Sequence, residues 1–132
     1  MSSVPMPQLA LVVDDSMLIR HTVCRFLEER GFSVESATNG LEALEMLDTI
    51  QPDIIITDLQ MPKMDGPHLI NELKSRPKTA GIPIVILAGK KQPIENQTEN
   101  RARFVIFKDI DLEAQLYRAL ESVLHIHLHP GG

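Results

Sequence analysis

The sequence predicts an α/β fold, a single doubly wound parallel sheet of five strands with about five helices. Short apolar runs alternate along the chain with segments whose apolar residues recur at helical spacing. One run, Ile54 to Ile56, is unbroken and β-branched, the composition of a strand buried on both faces. Charged residues stand where runs end: Asp14-Asp15 after Leu9 to Val13, Asp58 just after Ile56, and Lys108 after Phe104 to Phe107. Crossover helices bring the ends of parallel strands to one sheet edge, and open α/β folds place their ligands outside that edge.

Leu9 to Val13 is the first strand. Beyond Asp15, Ile19, Val23, Phe26 and Leu27 fall on one helical face, and Gly31 is placed to stop that helix. His21 and Cys24 lie on or near it, but two potential ligands do not make a metal site. Phe32 to Ala37 sets Phe32 and Val34 against Ser33 and Glu35, a half-buried pattern that suits an edge strand. Asn39 is placed to cap the second helix with Glu42 three residues on, and Leu41, Leu44 and Leu47 form its expected inner stripe before Pro52.

After the third strand, Met61-Pro62 turns the chain. Asp65-Gly66-Pro67 then starts a helix with Asp65 as cap, carrying Leu69, Ile70 and Leu73 inward until Pro77. His68 is read as a surface residue, because nothing in the sequence orients it as a base. Ile82 to Ala88 reads as a central fourth strand with Pro83 tolerated near its start, and Arg103 to Phe107 as the fifth. Between them, Gly89 to Arg103 offers only Ile94 and Ala102 as anchors behind Pro93, so the fourth helix is expected to be short, mobile or partly unwound. Asp109 or Asp111 is placed to cap a final helix with Leu112, Leu116, Ala119, Leu120 and Val123 inside.

Asp14, Asp15 and Asp58 therefore converge at one edge. Like charges held close raise each other's pKa unless a cation intervenes, so the cluster calls for a hard divalent ion, and Mg²⁺ suits one with coordination open to water and phosphate. Lys108 adds a compact positive charge at the same edge.

Asp14-Asp15, the block Asp58-x-x-Met61-Pro62-x-x-Asp65-Gly66, and Lys108, in that order and each at a strand end, resemble the receiver domain of bacterial two-component response regulators. The resemblance covers residues 8–124, with 1–7 as a flexible N-terminal segment and 125–132 as a tail. It implies a flavodoxin-like three-layer sandwich of strand order 2-1-3-4-5. Asp58 would take a phosphoryl group, as an acyl phosphate, from a phosphohistidine on a sensor histidine kinase or histidine phosphotransfer protein. Asp15, Asp58 and the backbone carbonyl of Gln60 would hold Mg²⁺ or Mn²⁺, with Asp14 assisting, while Lys108 and the Ala88 backbone would contact the phosphoryl oxygens. The resemblance also implies a cytoplasmic phosphoacceptor that is not an enzyme beyond self-phosphorylation from small donors and self-dephosphorylation. A downstream protein partner follows, with a homodimer through the fourth helix, fifth strand and final helix as one option.

Several positions depart from that pattern. The family's Thr or Ser at the end of the fourth strand is matched here to Leu87, which has no donor, and its Tyr or Phe on the fifth strand to Val105. Asp109 follows the lysine in place of the customary proline. Gln60 and Gly89 match positions at the pocket mouth. Gly89 gives an acyl phosphate no side-chain shield from water, while Leu87 beside it works to exclude water. Two functions are consistent with these residues. The expected one is a stand-alone receiver that accepts phosphate on Asp58 with a non-standard activation switch; the alternative is a phosphorylation-independent adaptor.

Other classes fit poorly. Haloacid-dehalogenase-type phosphatases use a DxDx[TV] block after the first strand, which Asp14-Asp15-Ser16-Met17 is not. Flavodoxins need a hydroxyl-rich phosphate loop there, and this chain has no Trp and one Tyr, Tyr117, to stack on a flavin. A net charge of -5 with scattered basic residues argues against a nucleic-acid surface. No apolar stretch reaches membrane-spanning length, and residues 1–7 lack the pattern of a signal peptide. The lone Cys24 suits a reducing compartment, and 132 residues make one domain with an ordinary core. His125, His127 and His129 alternate in the tail, a spacing able to bind Zn²⁺ or Ni²⁺ if extended.

Overall fold

The computed structural model describes residues 8–89, 104–108 and 111–124. Strands β1 (Leu9–Val13), β2 (Ser33–Ala37), β3 (Ile54–Asp58), β4 (Ile84–Ala88) and β5 (Phe104–Phe107) form one parallel sheet in the order β2-β1-β3-β4-β5. Helices α1 (Met17–Glu28), α2 (Gly40–Met46), α3 (Gly66–Ser75) and α4 (Leu112–Leu124) are the four among the described residues. The expected helix behind Pro93 lies outside them, as does the histidine tail.

The sheet's alternating side chains feed two cores, which is why its central strands are apolar throughout. Val12, Ile56, Leu87 and Ile106 pack with Val23, Phe26 and Leu27 of α1 and Leu116 and Leu120 of α4. On the other face Leu11, Ile55, Ile86 and Ala88 pack with Ala43 and Leu44 of α2 and Leu69, Ile70 and Leu73 of α3. The result is a three-layer sandwich in which β3 and β4 have no exposed residue. Each fully buried Leu or Ile here contributes about 1.5–3 kcal/mol relative to an exposed one.

Local signals place the element ends. Ser16 caps α1 by accepting the Ile19 N–H at 3.3 Å. Gly31, at φ 91, ends the turn after it, and the Phe32 N–H returns to the Leu27 carbonyl at 3.1 Å. Asn39 caps α2 by accepting the Glu42 N–H at 2.9 Å, but the Glu42 carboxylate reaches back to the Thr38 N–H, 2.7 Å away, rather than to Asn39 itself. Asp111, one of the two expected caps, accepts the Ala114 N–H at 3.3 Å ahead of α4; Asp109, the other, lies outside the described residues.

Two expectations change. Leu41 is 45% exposed, and the inner face of α2 is made by Gly40, Ala43 and Leu44 with Leu47 just beyond, because a helix this short turns only one narrow stripe to the sheet. Strand β4 begins at Ile84 rather than Ile82. Pro83 has no N–H to add to the ladder, although its carbonyl accepts the Ile55 N–H at 3.0 Å.

Candidate functional site

The carboxyl ends of β1, β3 and β5 deliver the predicted charges to one place. Asp14 is fully buried, Asp58 is 3% exposed and Asp15 stands open to solvent. One carboxylate oxygen from each lies within 4.8 Å of the others. Lys108, following β5, places its Nζ 2.8 Å from Asp14 Oδ2 and 3.1 Å from Asp58 Oδ1. One ammonium thus bridges two buried carboxylates, and one negative charge stays uncompensated before Asp15 is counted.

Each group is fixed by the chain around it. Asp14 Oδ1 accepts the Ser16 N–H at 2.8 Å, and the Asp14 backbone carbonyl accepts from Arg20 Nη1 at 2.8 Å. The Asp14 N–H donates to the Ala37 carbonyl at 3.1 Å, tying the end of β1 to the end of β2. Asp58 Oδ1 accepts the Leu59 N–H at 2.7 Å, so both this bond and the Lys108 contact fall on one oxygen. The Thr57 hydroxyl donates to the Asp58 carbonyl at 3.0 Å inside the core. Behind Asp58, Gly66 packs so tightly that a Cβ there would lie 2.5 Å from the Asp58 carbonyl oxygen and 2.8 Å from Leu59 Cα. The Gly66 N–H donates to the Leu59 carbonyl at 2.8 Å, so the loop after β3 closes directly onto α3. Within that loop Lys63 takes φ 67, and the Met64 N–H bonds the Pro62 carbonyl at 2.7 Å, a strained three-residue turn.

The electrostatics follow from this crowding. Burial and then the neighbouring Asp14 charge push the Asp58 carboxyl above the usual carboxylate range, against the pull of Lys108 and the Leu59 N–H. Burial works to lower Lys108, but Asp14 and Asp58 more than offset it and raise the ammonium. A site with surplus negative charge, hard oxygen donors and a buried Asp14 Oδ2 whose partner is an ion-pair contact fits a divalent cation.

The remaining predicted residues divide. Gln60 is exposed two residues past Asp58, and half-buried Gly89 follows β4. The Ala88 carbonyl accepts the Lys108 N–H at 2.9 Å. Leu87 and Val105 do not form a pair. Leu87 packs into the core shared with α1 and α4, whereas Val105 packs on the opposite face, where the strand-end residue of β4 is Ala88. In a strand apolar on both faces no polar marker distinguishes neighbouring positions, so the sequence carried no sign that Leu87 and Val105 lie on opposite faces. His68 is exposed, and its Nδ1 lies 2.7 Å from Asp65 Oδ1. Burial opposes ionisation of Asp65, but the backbone N–H and imidazole of His68 hold its carboxyl below the usual range. Cys24 is half-buried, and burial pushes its thiol up, away from reactivity.

The residues read singly did not reveal Ser16, Arg20 or Gln115. Ser16 had a signal, a hydroxyl just ahead of a helix. Arg20 and Gln115 act on backbone groups of other segments, which no spacing announces. Gln115 Nε2 donates to the Phe107 carbonyl at 2.7 Å and its Oε1 accepts the Phe107 N–H at 3.1 Å.

Comparisons with known proteins agree with this geometry. Residues 10–121 match the family model described as the response regulator receiver domain. The chain is 43% identical over 83 residues to a gliding motility regulatory protein of Myxococcus xanthus, covering 63% of this chain and 11% of that one. It is 36% identical over 85 residues to the response regulator MprA of a Mycobacterium species, covering 64% of this chain and 36% of that one. It thus spans well under half the length of these curated relatives. The chemotaxis response regulator CheY4 of Vibrio cholerae superposes with a TM-score of 0.80 at 29% identity, over 89% of this chain and 99% of that chain. A CheY-like receiver domain from Methylobacillus flagellatus gives a TM-score of 0.80 at 28% identity, over 89% and 99% of the two chains.

Proposed function

We propose, because this chain belongs to the response regulator receiver domain family, that Asp58 is a phosphoacceptor in a two-component phosphorelay. The observation that supports this most is the bridge from the Lys108 ammonium to both Asp14 and Asp58, with three carboxylate oxygens within 4.8 Å. A carboxylate oxygen of Asp58 attacks the phosphorus of a phosphohistidine on a sensor kinase or phosphotransfer protein. The P–N bond breaks, and the electron pair leaves with the imidazole, which takes up a proton. Lys108 turns from Asp58 to the transferred phosphoryl oxygens, and the Ala88 backbone contacts them as well. Asp15, Asp58 and the Gln60 carbonyl would hold Mg²⁺ or Mn²⁺, with Asp14 assisting through water or a hydrogen bond. The bound cation supplies neutralisation of charge on the group in transfer. Catalysis by the chain alone is limited to self-phosphorylation from small donors and loss of its own phosphate.

The readout departs from a hydroxyl-aromatic switch. The last β4 residue on the sheet face that carries Val105 is Ala88, which like Leu87 has no donor, so a phosphoryl group meets no hydroxyl there. Output passes to a protein partner by another route. The same apolar pair favours a second reading, a phosphorylation-independent adaptor.

Intact-mass measurement after incubation with Mg²⁺ and acetyl phosphate separates the two. Phosphoacceptance adds about 80 Da to the wild type and nothing to Asp58→Asn. Absence of the adduct in the wild type, with no rise in melting temperature on adding beryllofluoride, leaves the adaptor reading.

A further inference from the structure

We infer that Gln115 is a positioning residue for Lys108, its side-chain amide serving as a substitute strand on the open edge of β5. This rests on the role proposed above for Lys108. Among the described residues β5 is the last strand of the sheet, and Phe107 is its final residue. Along a parallel strand the N–H and C=O of one residue point the same way and alternate residues face opposite neighbours; those of Phe107 point away from β4, where an outermost strand has no strand to pair with. Gln115, projecting from α4, donates to that carbonyl at 2.7 Å and accepts from that N–H at 3.1 Å, closing the ring a sixth strand would close. The next residue is Lys108, whose own N–H donates inward to the Ala88 carbonyl at 2.9 Å. The backbone at the root of the lysine is therefore gripped from both sides, by β4 inside and by an α4 amide outside. From that root its long side chain reaches 2.8 Å from Asp14 and 3.1 Å from Asp58. A strand of four residues carries only a short ladder to β4, and a long side chain with many rotatable bonds gains from a fixed origin. Asp14 and Asp58, by contrast, are anchored by Ser16, Arg20 and Leu59. The two Gln115 side-chain bonds run to Phe107 and the anchors of Asp14 and Asp58 run to other groups, so its loss should move the lysine and leave the carboxylates in place.

The test is Gln115→Leu, which keeps most of the volume and removes both hydrogen bonds, with Gln115→Glu as a second variant that keeps the acceptor and, when ionised, loses the donor. Phosphorylation by acetyl phosphate is measured as a saturating rate and as the Mg²⁺ concentration for half-maximal rate, at a temperature well below each variant's melting point. Backbone amide exchange at Phe107, Lys108 and Ile86 is followed by NMR. In Gln115→Leu the saturating rate falls about tenfold while the Mg²⁺ requirement stays within about twofold, as expected for a misplaced phosphate-contacting group beside intact metal ligands. Exchange quickens at Phe107 and Lys108 but not at Ile86, and Gln115→Glu falls between wild type and Gln115→Leu. An unchanged rate with quickened exchange overturns the inference and leaves Gln115 as an edge guard only. A rate and Mg²⁺ requirement that worsen together overturn it as general loosening. A wild type that takes no phosphoryl group defeats the Asp58 reading instead; unaltered exchange at Phe107 and Lys108 in Gln115→Leu then still defeats the clamp on its own.

Discussion

At Asp58 the protein buries one carboxylate beside another, Asp14, and supplies a single ammonium between them. Burial and the Asp14 charge raise the Asp58 pKa above its unfolded value, so the folded state binds that proton more tightly than the unfolded state does. The consequence has a sign. Ionised Asp58 works against folding above its folded pKa, and the penalty vanishes as pH falls below the ordinary carboxylate value. Asp58→Asn, which keeps the shape and removes the charge, should therefore stabilise the apo protein by about 1–2 kcal/mol at pH 7, since an uncompensated buried charge costs on this scale or more. Denaturant titrations at neutral and acid pH should show that gain shrinking toward zero on acidification. An equal gain at both pH values would mean that the charge is not its source. Lys108 carries the opposite sign: its raised pKa gives stability fully present below the ordinary lysine value and lost as pH rises through the folded value.

At the scale of elements, the join between β3 and α3 determines how firmly Asp58 is held. Asp65 caps α3 through the His68 N–H at 3.1 Å, and Gly66 lets the helix start against the Asp58 carbonyl. Gly66→Ala would place a methyl 2.5 Å from that oxygen, and since the clash is with backbone, the end of β3 has to move. The expected cost is about 1–3 kcal/mol, the range for overpacking, with a matching fall in phosphorylation rate. A thermal melt and a phosphorylation assay on the same sample check both, and a variant of native stability and rate would show that the loop yields easily. Helix α2 offers a milder case. Asn39→Ala removes the cap on Glu42 and should cost about 1 kcal/mol, read as a lower denaturant midpoint.

For the molecule as a whole, the acidic edge is where a cation couples to stability. A divalent ion that binds the folded edge and not the unfolded chain adds about 2.7 kcal/mol at a hundredfold excess over its dissociation constant. Mg²⁺ should raise the melting temperature, and Asp15→Asn should blunt that rise without lowering the apo value, because Asp15 is exposed and takes little part in the fold. A melting temperature indifferent to Mg²⁺ would remove the metal from the proposal. Among the described residues no helix is long and apolar enough to cross a membrane.

The amino-acid sequence by itself determined the alternation of strands and helices, the edge position of β2, the convergence of Asp14, Asp15, Asp58 and Lys108, and the capping roles of Asn39 and Asp65. Each of these is local: an apolar run, a charge at its end, a capping side chain before a helix. Tertiary structure alone decided which face of the sheet each β4 residue joins, and so that Ala88 rather than Leu87 stands with Val105. It alone set the shared contact of Lys108 with two carboxylates, and it alone brought Gln115 to the edge of β5. The reason is physical. A strand buried on both faces is apolar at every position and carries no mark of its parity. A side chain that bonds another element's backbone, in turn, depends on where two elements meet and on no residue type at the far end.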